Sequence, residues 1–310
     1  MKVKRFFFLS TFFIFLFFPS RCFAQGFSLS INPPILEAMI QPGKQIIYTF
    51  DLQNHSNTTP VNLNAKIIPF EALGNQGRIH LLDNEEPPDF FSLLNADISL
   101  NQPFYLEPNQ RIQLVLLVSV PQNQPEGDYY QTLIVEQSLS QGSLLGNLSQ
   151  SLGAVGANIL LTVSQSGQPQ KSLEISSFFI PKTYFNKIVD SFDVVNFELN
   201  LKNTGQAFVK PEGSIFIRPK GENEDIQEIK IRPDNILPGT SRQMRCLEKP
   251  CFFKTSRLIN AYQARFEFVL EGKKYQSTVS FWVFPIKITL GLIFLLLLCL
   301  VFLWQIRKRS

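Results

Sequence analysis

Residues able to do chemistry are few in this chain, and their spacing suits no catalytic site. The stretch "RIHLLDNEE" sets His80 close to Asp83, Glu85 and Glu86. An imidazole beside three carboxylates could hold a divalent cation loosely, but the acids run straight into Pro87-Pro88, the composition of a solvated loop. The second histidine, His55, lies in the turn "NHSNT". Neither has a serine in a Gly-x-Ser-x-Gly elbow or a cysteine in matching context beside it. "GSLLGNLSQSLGAVGA" is spaced with glycine, yet no lysine follows to meet a phosphate, so it reads as a flexible hairpin. No catalytic residue, cofactor-binding residue or metal ligand is expected, and the chain reads as a non-enzyme that needs no cofactor.

Three groups of residues invite a binding or structural role instead. Cys246 and Cys251 flank a short turn in "RCLEKPCFF". Zinc would want two more thiols or imidazoles close by, so in an oxidising compartment the pair is expected to form a local disulfide. Arg242, Arg245, Lys249, Lys254 and Arg257 surround those cysteines; they suit an anionic polymer or headgroup, or simply a solvated hairpin. The segment Glu85 to Gln110 is longer than a compact sandwich needs and carries Phe90, Phe91, Phe104 and Tyr105. Planar rings stack on sugars and anchor protein partners; they also plug the ends of β-sandwich cores, and both readings stay open.

The two ends say where these residues work. Lys2, Lys4 and Arg5 precede an apolar run from Phe6 to Phe18, which Pro19 breaks before small residues lead to Ala24. That is the layout of a secretory signal over residues 1–24, with an uncleaved anchor as the alternative. Near the other end no residue from Ile288 to Ile306 is charged, and Arg307, Lys308 and Arg309 follow. A single transmembrane helix is expected over 285–305, contacting membrane lipid, with a cytoplasmic basic tail at 306–310. Signal and tail hold eight of the 29 lysines and arginines and no acid, leaving 21 basic against 25 acidic residues. The part between is thus mildly acidic, which excludes the basic stripe that nucleic-acid binding requires.

Between the ends the hydrophobic period is two. Ile46, Tyr48, Phe50 and Leu52 share a face, as do Val61, Leu63, Ala65 and Ile67, and Ile112, Leu114, Leu116, Val118 and Val120. After the polar stretch "QSGQPQKS" the pattern restarts with Val195, Phe197, Leu199 and Leu201. Such strands, separated by Pro, Gly and Asn clusters, describe an all-β protein of two tandem immunoglobulin-like sandwiches. The first is expected over 25–165, a linker over 166–172 and the second over 173–284. Two segments, "FDLQNHSNTTPVNLNAKI" and "FELNLKNTGQAFVKPEGSIFI", follow one plan: an alternating strand, an Asn-rich turn and another alternating strand. In "INPPILEAMIQPGKQ" two prolines must interrupt ladder pairing, so a first strand is expected to break there and continue on the facing sheet.

The sequence resembles the bacterial WxL-interacting proteins. The matching pieces are "SINPPILEAMIQPGK", the two Asn-turn segments, "ISLNQPFYLEPNQRIQLVLLVSVPQNQPEGDYYQTLIVE" and "ILPGTSRQM". The resemblance implies a signal peptide, two Ig-like domains, one C-terminal helix and a basic tail. It further implies a first domain that binds peptidoglycan and a second that binds a host or surface protein partner. The expected function is therefore a membrane-anchored, non-enzymatic cell-surface protein that binds cell-wall polymer or a surface protein. The alternative is a periplasmic-chaperone-like assembly factor that completes a partner's sheet with an exposed edge strand.

Overall fold

The protein is described here by a computed structural model, which covers residues 28–138, 153–185, 187–248 and 252–309. The expected secretory signal lies outside the described residues.

The first sandwich holds β1 (Leu29–Asn32), β2 (Ile35–Ile40), β3 (Gln45–Asn54), β4 (Val61–Leu73) and β5 (Arg78–Leu81). It continues with β6 (Phe91–Leu93), β7 (Pro103–Leu106), β8 (Arg111–Ser119), β9 (Gly127–Gln137) and β10 (Ala154–Val163). One sheet runs β1-β3-β8-β6 and the facing sheet β2-β10-β9-β4-β5, with β7 also on β4. The alternation read from sequence sets the core: Phe50, Leu52, Leu63, Leu114, Leu116 and Leu161 are all buried between the two sheets. Each large apolar side chain so buried contributes about 1.5–3 kcal/mol.

The first strand does break at the prolines. β1 pairs antiparallel with β3, whereas β2, past the cis Asn32–Pro33 bond, pairs parallel with β10 in the facing sheet. Proline has no N–H for the ladder, so the crossing falls where pairing must lapse in any case.

The second sandwich holds β11 (Leu173–Phe179), β12 (Ile188–Asp190), β13 (Val195–Asn196), β14 (Glu198–Asn203) and β15 (Gly213–Pro219). Then come β16 (Gln227–Lys230), β17 (Ser241–Gln243), β18 (Phe252–Phe253), β19 (Asn260–Leu270) and β20 (Lys273–Phe284). A three-stranded sheet β11-β14-β17 faces a five-stranded sheet β12-β20-β19-β15-β16. The β19–β20 hairpin turns on Glu271 and Gly272, both at positive φ (49° and 76°), which suits the right-handed twist of the strands. The core is aromatic, with Tyr262 stacked on Phe281 at 5.6 Å and Phe253 edge-on to both.

Only Pro285 separates β20 from α1 (Ile286–Arg309). Residues Ile286–Lys308 of this helix are long and apolar enough to cross a membrane, and almost all of that surface is exposed. A helix exposed all round is not the core helix of a soluble domain.

Candidate functional site

A cluster of charged residues lies where the two sandwiches meet. Among the described residues, three groups of hydrogen bonds tie them. The tip of the β4–β5 hairpin reaches the second domain, where Asn75 O accepts from Gln243 N at 2.7 Å and Asn75 Nδ2 donates to Asn200 Oδ1 at 3.3 Å. Glu37 on β2 is held by Lys210 Nζ at 2.9 Å and by Asn235 Nδ2 at 2.6 Å. Asp128 accepts from Tyr130 OH, from Thr162 Oγ1 at 2.7 Å and, across the boundary, from Phe208 N at 2.7 Å. Burial, and after it the carboxylate of Asp128, pushes the Tyr130 phenol above its ordinary range, so Tyr130 stays a donor.

A cleft of about 450 Å³ lies among these contacts. On the first-domain side Ile35, Phe70, Ala72 and Leu160, on the outer face of the second sheet, form an apolar floor beside Glu37 and Arg78. The opposite wall carries Lys210, Arg232, Arg242 and Arg245, and Arg78 adds a fifth cation against only two carboxylates, Glu37 and Asp234. Asp234 is the buried pivot of that wall. Arg245 clamps it with Nε at 3.1 Å and Nη2 at 3.0 Å, Arg232 Nε lies at 3.1 Å, and Arg242 stands off at 3.7 Å.

Arg242 is the most buried of these cations. Its side chain is 19% exposed, Nη1 donates to Asn235 O at 3.2 Å, and its Nε is buried without a hydrogen-bond partner among the described residues. Burial lowers its pKa; Asp234 works against that, while Arg245 and Arg232 push the same way as burial. An anionic group entering the cleft would relieve this crowding. Gly77 makes the arrangement possible. A Cβ there would stand 2.2 Å from the Arg242 guanidinium, and the residue sits at φ 73°.

β-Strand edges are the second feature of the site. β10 pairs with β9 along its whole length from Ala154, but β2 covers its other flank only from Asn158 onward. Among the described residues Ala154 to Ala157 pair with β9 alone, with β1 passing close by on its way to the facing sheet, and β2, lining the cleft through Ile35 and Glu37, pairs with β10 alone. Ile35 and Met39 stand exposed on this edge. An open edge of this kind is a template for another chain.

The residues singled out in the sequence fall into place unevenly. Phe90, Phe91 and Phe104 are buried in the first core, where Phe90 packs on Phe91 at 4.8 Å and on Tyr129 at 5.6 Å. Tyr105 alone, 65% exposed, faces solvent, because β7 pairs with β4 and its alternation turns Phe104 and Leu106 inward. The loop thus presents one ring at the surface, and the core-plugging reading describes the other three. Cys251 lies outside the described residues, so the expected Cys246–Cys251 bond does too. Cys246 itself is half-buried, bridging to Ile231 and packed against the second core. Of the basic cluster, Arg242 and Arg245 reach the cleft, Arg257 pairs with Glu222 at 2.7 Å elsewhere, and Lys249 lies outside the described residues. His80 contacts Glu71 at 3.2 Å, and no group of three metal-binding side chains forms among the described residues.

No family model matches the chain, and no curated protein matches it. Solved structures similar in fold include the class 5 fimbriae chaperone CfaA, at 13% identity and a TM-score of 0.41 over 83% of this chain and 100% of that one. Another is the complex of Salmonella enterica SafA pilin with the SafB chaperone, at 11% identity and 0.37 over 84% and 97%. A third is a PapD-like domain of human CEP192, at 15% identity and 0.29 over 44% and 85%. The fold itself is two immunoglobulin-like sandwiches in tandem, followed by one apolar helix.

Proposed function

We propose that this chain is a membrane-anchored, non-enzymatic envelope protein that holds a protein partner by strand addition to its first sandwich. The observation that carries the reading is that, among the described residues, β2 pairs with β10 alone and Ala154–Ala157 of β10 pair with β9 alone. Backbone hydrogen bonds along such an edge supply affinity, and alternate side chains supply specificity. The incoming strand would present apolar residues to Ile35 and Met39. An acidic group on it would find Arg242 in the adjoining cleft. The sandwiches would stand outside the cytoplasm, with the basic residues after Trp304 inside. Retention by cell-wall polymer loses much of its support once three of the four loop rings are buried, which is why the strand-adding alternative stands first here.

The test is to isolate the full chain from its own membranes together with whatever protein it retains. Met39→Lys and Ala154→Asp, both at exposed edge positions, should release that protein while leaving the melting temperature within a few degrees. Retention by both variants, or release by Tyr105→Ala alone, would overturn the proposal.

A further inference from the structure

The second sandwich ends in an apolar rim beside the helix. Phe192 and Val194 follow β12, Leu258 and Ile259 precede β19, and Phe284 closes β20; all five are exposed. Hydrogen bonds hold this rim to the start of α1. Asp190, itself buried, accepts from Lys287 N at 2.8 Å and from Phe192 N at 2.9 Å. Ser191 N donates to Phe284 O at 3.1 Å and Ser191 Oγ to Leu258 O at 2.8 Å. Lys287 Nζ pairs with Asp193 Oδ1. Thr289 N donates to Pro285 O at 3.0 Å, and Ile286 is buried against the domain. The helix therefore leaves the sandwich by a capped and ion-paired joint, with no linker in which to swing.

The depth of the rim follows from the helix. The uncharged stretch Ile288–Ile306 rises roughly 28 Å at 1.5 Å per residue, which matches a hydrocarbon core of about 30 Å. Lys287 then lies at the hydrocarbon boundary, and whatever is bonded to it lies at headgroup depth. Asp190 and Asp193 are bonded to it directly, Phe192 lies between them, and Leu258 is one hydrogen bond further. A headgroup layer is about 6 Å thick on each side, and side chains one or two hydrogen bonds from Lys287 begin within that reach of the boundary.

Resting on the reading of α1 as a membrane span, we infer that Phe192, Val194, Leu258 and Ile259 are sunk in the lipid headgroup layer. Lipid is the occupant because the helix places it there. The rim is a second, peripheral membrane contact that fixes the tilt of the second sandwich. Through the Glu37, Asn75 and Asp128 contacts it also fixes the height and direction of the open edge on the first.

Trp282 and Trp304 are the two tryptophans, which makes the test direct. The full chain would be reconstituted in phosphatidylcholine vesicles brominated near the carboxyl end of the acyl chains. With both tryptophans changed to phenylalanine, a Phe192→Trp probe should lose emission to the brominated lipid and shift to the blue. A Val269→Trp probe, at the far hairpin, should do neither. Adding Leu258→Asp and Ile259→Asp should reduce the quenching of the Phe192→Trp probe while the melting temperature holds. Trp304, measured in a Trp282→Phe chain, tests the span independently. If Trp304 is unquenched, the anchor reading fails and takes this inference with it. If Trp304 is quenched but the Phe192→Trp probe behaves like the Val269→Trp probe, the anchor stands and the rim inference is overturned.

Discussion

Asn54 and Asn203 do the same work at the same place in the two sandwiches. Each is the last residue of its strand and is buried. Asn54 Oδ1 caps Ser56 N at 3.0 Å, and Asn203 Oδ1 caps Gly205 N at 2.8 Å. Asn54 Nδ2 reaches Thr59 O at 3.0 Å and Glu107 O at 3.1 Å; Asn203 Nδ2 reaches Ala207 O and Ile236 O, both at 2.8 Å. Even the turns they clamp match. Pro108-Asn109 and Pro238-Gly239 each put a positive-φ residue after proline and close with a hydrogen bond of 3.1 Å.

Asn203→Ala would strand the Ala207 carbonyl and the Gly205 N–H, each worth about 1–3 kcal/mol when left unsatisfied, and would leave Ile236 O with Val209 N alone. Partial relaxation leaves an expected loss of roughly 3 kcal/mol from the second sandwich, read from the denaturant midpoint at constant slope. Asn54→Ala should cost the first sandwich a similar amount. A loss below about 0.5 kcal/mol, the range of ordinary surface changes, would show that water replaces the side chain.

Phe104 and Tyr105 are neighbours in sequence and opposites in the fold. Phe104→Ala should destabilise the first sandwich by about 3–5 kcal/mol through cavity formation. Tyr105→Ala should fall within about 0.5 kcal/mol of the parent. Equal losses would contradict the β7 register that turns one ring in and the other out.

The Glu37 contact makes the joint between the domains sensitive to acid. Burial raises the Glu37 pKa, but hydrogen bonds from Asn235 and Lys210 outweigh it and hold the carboxyl below its usual value. A carboxyl depressed by folding stabilises the folded form above its unfolded pKa, about 4.3. That contribution fades as pH falls through the lower folded value. The stability difference between the parent and Glu37→Gln should therefore be constant above about pH 5 and shrink below about pH 4. A difference that grows on acidification would reverse the assignment.

Much of the fold was legible because β-sandwiches advertise themselves locally. Alternation named the inward faces of β3, β4, β8 and β14, and Pro33-Pro34 announced the switch of sheets. The echo around Asn54 and Asn203 was visible as two Asn-rich turns, although their clamping of the Pro-Asn and Pro-Gly turns was not. The cleft was not legible, since Glu37, Gly77, Lys210, Asp234 and Arg242 come from distant strands and loops of two domains. Sequence proximity grouped Arg242 and Arg245 with Arg257, but β17 and the residues just after it carry the first two to the cleft while Arg257 turns to Glu222. A buried acid amid apolar residues in "IRPDNILPG" was the available signal for Asp234. Both readings of the aromatic loop stayed open in the sequence because length and ring content do not say which way a short strand faces.

Strand addition to the first sandwich is tested most directly by a photo-crosslinking amino acid placed singly at Met39, Ala154 or Val269, all exposed positions, in the full chain, in its own cells. The account predicts protein adducts at Met39 and Ala154, mapping to an extended partner segment with alternating apolar residues, and none at Val269. Adducts at Met39 no more frequent than at Val269, or adducts to glycan in place of protein, would contradict it.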